Sequence, residues 1–328
     1  MILIFGDVHV QSVPNWRFEL CERILLKDLQ DLIRKYEVET IVFLGDMFEK
    51  KDRISNRERG LAEEFVLASE RNGVKSFHFL LGNHDVSPDG KNTLSFLNRW
   101  AGCVVEDLPS SRRLGDLDVG FLPYGYSPEA ISSGLDVLFC HHEVKELIDY
   151  PSEEAFSLED FPEAKLIFGG HIHKRGNREN FFYVGAPYQR DFRDTGVDPA
   201  VAILNPKNLE FEFVPIENVV LHEKRTIGSY DDLKTCVSEL KKKGSKLRLW
   251  LTFDDESLAR DGAEYVKREL NDSLVGDPII EVTVPSVSLD EVVRKNESEK
   301  EILTRFLTAE GVTDVETYLK VGLSLLSC

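Results

Sequence analysis

Five short stretches of the chain gather residue types that bind metal ions. They are Gly6-Asp7-Val8-His9, Gly45-Asp46, Gly82-Asn83-His84-Asp85, His141-His142 and Gly169-Gly170-His171-Ile172-His173. Residues two apart on an extended tip point the same way, so Asp7 with His9, and His171 with His173, can each converge on one point. Carboxylate oxygens, imidazoles and one amide oxygen make a mixed donor set suited to Mn²⁺, Fe or Zn²⁺. Glycines beside them allow tight turns and the close approach of a phosphate. A lone D-x-H or H-x-H is usually a solvated turn, whereas five such elements in order, each at a strand end, describe a catalytic site.

Each stretch follows a run with strand character. The candidate strands are residues 2–5, 40–44, 76–81, 119–123, 136–140, 166–168 and 181–184. Between them lie helical patterns. Over residues 16–36, Leu20, Ile24, Leu25, Leu29, Leu32 and Ile33 recur at helical spacing, and residues 55–71 and 92–100 read the same way. This alternation predicts a layered α/β domain with its functional loops at the C-terminal ends of the strands. Residues 200–204 and 209–215, joined by Asn205-Pro206-Lys207-Asn208, predict a closing hairpin.

Three parts are expected: a catalytic domain over residues 1–217, a small α+β domain over 218–287 and a helical tail over 288–328. In the second part, residues 230–243 and 257–270 read as helices. Residues 246–253 alternate strictly, with Leu247, Leu249, Leu251 and Phe253 on one face, and 279–284 reads as a strand. The tail carries apolar stripes around Ile302, Leu303, Phe306 and Leu307, and around Tyr318, Leu319, Leu323 and Leu326, broken at Gly311.

Composition narrows the class. No apolar run is long enough to cross a bilayer, so no membrane role is expected. The start, Met1 to Phe5, meets Gly6-Asp7 with no basic flank, which argues against a signal peptide. Five scattered cysteines form no C-x-x-C pair, and a reduced cytoplasmic protein is the expectation. A net charge of −18 argues, by itself, against a polyanionic partner. The distribution of charge therefore counts for more than the total.

The series Asp7-x-His9, Gly45-Asp46, Gly82-Asn83-His84-Asp85, His141 and Gly170-His171-x-His173 resembles the calcineurin-like metallophosphoesterase superfamily over the first two-thirds of the chain. The resemblance implies a two-sheet sandwich flanked by helices, with two divalent metal ions at the strand ends; Mn²⁺ is expected, with Mg²⁺, Fe or Zn²⁺ as alternatives. Carried over, Asp7, His9 and His173 would hold one ion, Asn83, His141 and His171 the other, and Asp46 would bridge them. His84 would stand beside the metals as the proton donor to the leaving group, and Asp85 would orient a neighbour. The strand pattern alone leaves His141 and His142 open, and the resemblance favours His141. His78 and His222 read as structural.

Protein phosphatases of this superfamily carry Gly-Asp-x-x-Asp-Arg-Gly, whereas Gly45-Asp46-Met47-Phe48-Glu49-Lys50-Lys51 lacks the Arg-Gly. That stretch, with Cys140-His141-His142-Glu143 and Gly185-Ala186-Pro187-Tyr188, resembles the SbcD-type nuclease subunit of double-strand-break repair complexes and its phage recombination versions. This implies DNA as substrate, a coiled-coil ABC ATPase of the SbcC type as partner, and a tail that docks it; homodimerisation stays open. Basic residues fit a polynucleotide. Lys50, Lys51, Arg53 and Arg57 follow Asp46, Lys174 and Arg175 follow His173, and Arg190 and Arg193 follow the Gly-Ala-Pro turn. A small-molecule phosphatase or phosphodiesterase on the same scaffold is the competing reading.

Overall fold

A computed structural model describes residues 1–217 and 219–282. The expected tail helices lie outside the described residues. Two compact units are resolved. The larger comprises Met1–Lys224, Lys243–Leu249 and Asp272–Asp277; the smaller includes Arg225–Lys242 and Trp250–Asn271.

The larger unit carries two six-stranded mixed sheets. The strands of the first are β1 (Ile2–Phe5), β2 (Thr40–Phe43), β3 (Ser76–Leu80), β4 (Cys103–Glu106), β11 (Ala200–Leu204) and β12 (Phe211–Pro215), in the order β12-β11-β1-β2-β3-β4. The second consists of β5 (Ser110–Leu114), β6 (Leu117–Leu122), β7 (Leu135–His141), β8 (Ala164–Gly170), β9 (Gly176–Arg178) and β10 (Phe181–Tyr183), in the order β5-β6-β7-β8-β10-β9. β1 to β4 run parallel, as do β6, β7, β8 and β10. Their C-terminal ends therefore gather the loops that begin at Gly6, Leu44, Leu81, Pro123, His142 and His171.

The alternation within each strand fixes the layers. Ile2 and Ile4 of β1 pack with Val42, Leu44 and Leu80 against Val119, Phe121, Val137 and Phe139 of the second sheet. Leu3 and Phe5 face the other way, with Ile41, Phe43, Phe77 and Phe79, onto helices. Strands buried on both faces have no polar side to expose, which is why their sequences read as unbroken apolar runs. The helices on that face are α1 (Asn15–Arg23) and α2 (Leu29–Lys35), continuous through a π-helical turn at Ile24–Asp28, and α3 (Asn56–Arg71). A capping box starts α3: Ser55 accepts from the Glu58 N–H, and Glu58 accepts in return from the Ser55 N–H.

The remaining strands, β13 (Val220–Ile227), β14 (Lys246–Phe253) and β15 (Ile279–Val282), form a three-stranded sheet. Helices α4 (Tyr230–Lys243) and α5 (Glu256–Leu270) accompany it. In β14, Leu247, Leu249, Leu251 and Phe253 are buried, as their alternation requires. No described helix is long and apolar enough to cross a membrane.

Two expectations change. The helix expected over residues 92–100 is a short 3₁₀ segment, Ser95–Arg99. Strands β4, β5, β9 and β13 were not foreseen, and all four lie at sheet edges. An edge strand needs no continuous apolar pattern, and β5 (Ser-Ser-Arg-Arg-Leu) has none.

Candidate metal centre

The loops at the strand ends bring the seven candidate ligands together. Asp7, His9 and His173 form one group whose donor atoms lie within 4.8 Å of one another; Asp46, His141 and His171 form a second, and His9, Asp46 and His84 a third. Asn83 joins the second group: its Oδ1 is 3.0 Å from His171 Nδ1 and 3.2 Å from His141 Nε2, and those nitrogens are 3.3 Å apart. In the first group His9 Nε2 and His173 Nε2 face each other at 3.2 Å. Asp46 lies between the groups, with Oδ2 3.5 Å from His9 Nε2 and Oδ1 3.6 Å from His141 Nε2.

This donor set fits a pair of cations. Asp7, His9, Asp46 and His141 are almost wholly buried. Such lone pairs repel unless something positive sits among them. Their protonation shows the same tension. Burial drives Asp7 up and His9 well down. Burial and the neighbouring His141 lower His171 to about 4. Burial also opposes charge on His141 and on Asp46, but each offsets it for the other; His141 rises to about 9 and Asp46 falls well below the carboxylate range.

The ring nitrogens that face away from the centre are held by outer partners, which fixes each imidazole's orientation. His141 Nδ1 donates to the Leu44 carbonyl at 2.6 Å. His173 Nδ1 meets Asp194 at 3.1 Å and His171 Nε2 meets Glu143 at 3.2 Å. His9 Nδ1 faces Glu49 at 3.6 Å and the Arg190 guanidinium at 3.3 Å. Asp85 accepts from the N–H groups of Asp46 (2.6 Å), Met47 (3.1 Å) and Gly82 (3.0 Å), locking two ligand loops together. Burial and nearby Asp46 outweigh those bonds and raise Asp85 to about 7.

Sequence reasoning assigned no role to Glu49, Glu143 or Asp194, and read Arg190 only as part of the basic rim. Glu49 and Glu143 stand within motifs, so their positions offered a signal. Asp194, 21 residues after His173, offered none.

The backbone is bent to suit the cluster. Asp7 (φ 53°), His9 (φ 46°), Asp46 (φ 60°) and His171 (φ 83°) occupy the left-handed region, four of the seven such non-glycine residues described. That conformation is costly for residues with a side chain and persists where the surroundings over-determine it. The glycines allow the tight turns expected of them, as at Gly45, and also leave room for the ligand side chains. A Cβ on Gly82 would lie 2.2 Å from Asp46 Oδ1, and one on Gly45 (φ 103°) 2.5 Å from His141 Nδ1. The space they leave is filled by ligand side chains.

His84 borders the centre. Its N–H donates to Asp46 Oδ1 at 2.8 Å, its Nδ1 donates to the Glu49 carbonyl at 2.7 Å, and its ring meets His9 edge-on. His142 faces away from the cluster, against Tyr124 and Phe156. His78 bonds Glu106 and Ser76 in the core, and His222 is buried between Trp16 and Phe192.

The expected basic rim divides. Lys50, Lys51 and Lys174 have no hydrogen-bond or ion-pair partner among the described residues. Arg53 approaches Asp52 at 3.8 Å. Arg57 is bonded to Asn15 and lies over Phe18, and Arg175 lies over Phe213. A cleft of about 500 Å³ opens beside His171 and His173, lined also by Lys174, Arg190 and Arg193.

A chain with this sandwich and this cluster at its strand ends is a metallophosphoesterase in architecture. Residues 1–175 match the calcineurin-like phosphoesterase family, and the chain belongs to it. Divalent metals are that family's cofactors. Among solved structures, the chain is similar to a novel archaeal phosphodiesterase, with a TM-score of 0.37 and 16% identity over 65% of this chain and 98% of that one. It is also similar to the Pseudomonas putida nuclease MPE, with a TM-score of 0.28 and 15% identity over 55% of this chain and 66% of that one. No curated protein matches it.

Proposed function

We propose that the chain is a divalent-metal-dependent DNA nuclease of the SbcD type, working with an SbcC-type ABC ATPase in DNA repair or recombination. The observation that carries this reading is the set of unpaired lysines on the metal face: Lys50 and Lys51 after β2, and Lys174 after β8. Cations without partners, on loops that leave a phosphoesterase centre, suit a backbone of many phosphates better than one small ester.

Asp7, His9 and His173 would hold one ion and Asn83, His141 and His171 the other, with Asp46 available to both; Mn²⁺ would suit this mixed oxygen and nitrogen set. When bound, the ions supply Lewis acidity towards the phosphoryl oxygens and an activated water. The chain's own residues do the rest. Arg190, Glu143, Asp194 and the Leu44 carbonyl hold the imidazoles of His9, His171, His173 and His141 in orientation. His84, anchored through Nδ1 to the Glu49 carbonyl, presents Nε2 for proton donation to the leaving alkoxide. Docking of the ATPase is assigned to residues 288–328, where the apolar stripes lie.

The test is the Mn²⁺-loaded chain on single- and double-stranded DNA, beside a chromogenic phosphomonoester and phosphodiester. Cleavage of DNA with weak monoester turnover is the expected result. Monoester turnover without DNA cleavage would replace this reading with a small-molecule phosphatase.

A further inference from the structure

A second pocket, of about 270 Å³, adjoins the metal centre on the far side of His171. It differs from the cleft beside His173, where Lys174, Arg190 and Arg193 stand with Glu143 and Asp194. Tyr124, Tyr126 and Phe156 line the pocket, Glu143 and Glu154 stand on it, and no lysine or arginine contributes. The Tyr124 ring lies nearly parallel to both His171 (27°, 6.1 Å) and His142 (24°, 6.3 Å), so the wall is a layered stack of flat rings that reaches a candidate ligand. Tyr126, on the pocket wall, is 37% exposed, so its ring is open to an incoming group.

Two carboxylates and no cation exclude a phosphate from this pocket. Flat aromatic walls with carboxylate and hydroxyl acceptors suit a planar, uncharged ring that carries amino donors. We propose that the Tyr124–Tyr126–Phe156 pocket takes an unpaired nucleobase of the substrate while the cationic cleft takes its backbone. This deepens the nuclease reading and rests on it. A base within a duplex is paired and stacked on both faces and cannot enter, so the pocket selects single-stranded or frayed DNA.

The test is equilibrium binding of dAMP and of deoxyribose 5-phosphate to the full Mn²⁺-loaded chain. Base–aromatic stacking makes dAMP bind about fivefold to a hundredfold more tightly than the sugar phosphate. Tyr126→Ala, which removes a wall, and Ser127→Phe, which fills the pocket from an exposed loop, should each erase that advantage. Sugar-phosphate affinity and metal content should stay unchanged. Equal binding of the two ligands to the unaltered chain, or an advantage that survives both substitutions, would overturn the proposal. Binding needs no turnover, so the two readings fail separately. A base advantage without DNA cleavage removes the nuclease reading, and cleavage without a base advantage removes the pocket.

Discussion

The two ends of the first sheet make opposite use of charge. At the N-terminal ends of β1, β2 and β3 a cavity of about 800 Å³ is bordered by Met1, Arg34, Glu37, Glu39, Lys75 and Lys207. It is larger than either pocket at the metal face, yet nothing in it points to chemistry. Its charged groups are exposed, and several are paired: Lys75 with Glu39, Arg34 with Asp31, and the N-terminal amine with the Glu37 carbonyl. Its one positive-φ residue among those lining side chains, Glu37 (φ 51°), follows the end of α2, where chains commonly turn. At the other end the carboxylates and imidazoles are buried, crowded and held on strained backbone. Volume does not mark the site; desolvated donors in excess of their partners do.

The largest effect that would sharpen this contrast is at the bridge. Asp46→Ala is expected to empty both metal positions and abolish hydrolysis, because one carboxylate offsets the repulsion between two cations. His141→Ala should weaken mainly one position, and Glu39→Ala at the opposite end should change neither. Metal content per chain measures all three, and full retention in the Asp46 variant would break the bridging geometry. If His142→Ala lost metal as His141→Ala does, the assignment between the two would be reversed.

Next in size is His84→Ala. Metal content should stay near that of the unaltered chain while turnover falls about 10²- to 10⁴-fold, the usual contribution of a general acid. Loss of one metal equivalent would make His84 a ligand.

The outer partners come third. Asp194→Asn and Glu143→Gln keep shape but remove the charge that orients His173 and His171. Metal affinity should fall about 10- to 100-fold in each, read by metal titration. Unchanged affinity would show that packing alone sets those rings.

The smallest effect concerns the rim. Replacing Lys50, Lys51 and Lys174 with glutamine should weaken DNA binding and flatten its salt dependence by about 0.9 in the log–log slope per lost contact on duplex DNA. Replacing Arg34 and Lys75 at the opposite end should leave the slope alone. Identical slopes in both variants would reduce the rim lysines to ordinary surface charge.

Much of this molecule is legible in its sequence because local rules act there. The buried parallel strands read as apolar runs, the Ser55–Glu58 capping box marks the start of α3, and the alternation of β14 gives its buried face. The candidate ligands stand out because metal-binding residue types follow strands. Edge strands escaped notice because one side of such a strand needs no apolar cover, and the segment over residues 92–100 closes only a short 3₁₀ turn despite its helical spacing.

What tertiary structure alone decided is which groups meet. Asp194 reaches His173 and Asp85 reaches the Asp46 and Met47 amides across 21, 39 and 38 residues of chain, distances no local pattern encodes. Arg57 and Arg175 lie over aromatic rings, while Lys50, Lys51 and Lys174 remain unpaired among the described residues, although all five read alike in sequence. Residue type and spacing determine what chemistry is available. Burial and the approach of distant strands determine which side chains lose water, and a charge is consequential only where it has lost water.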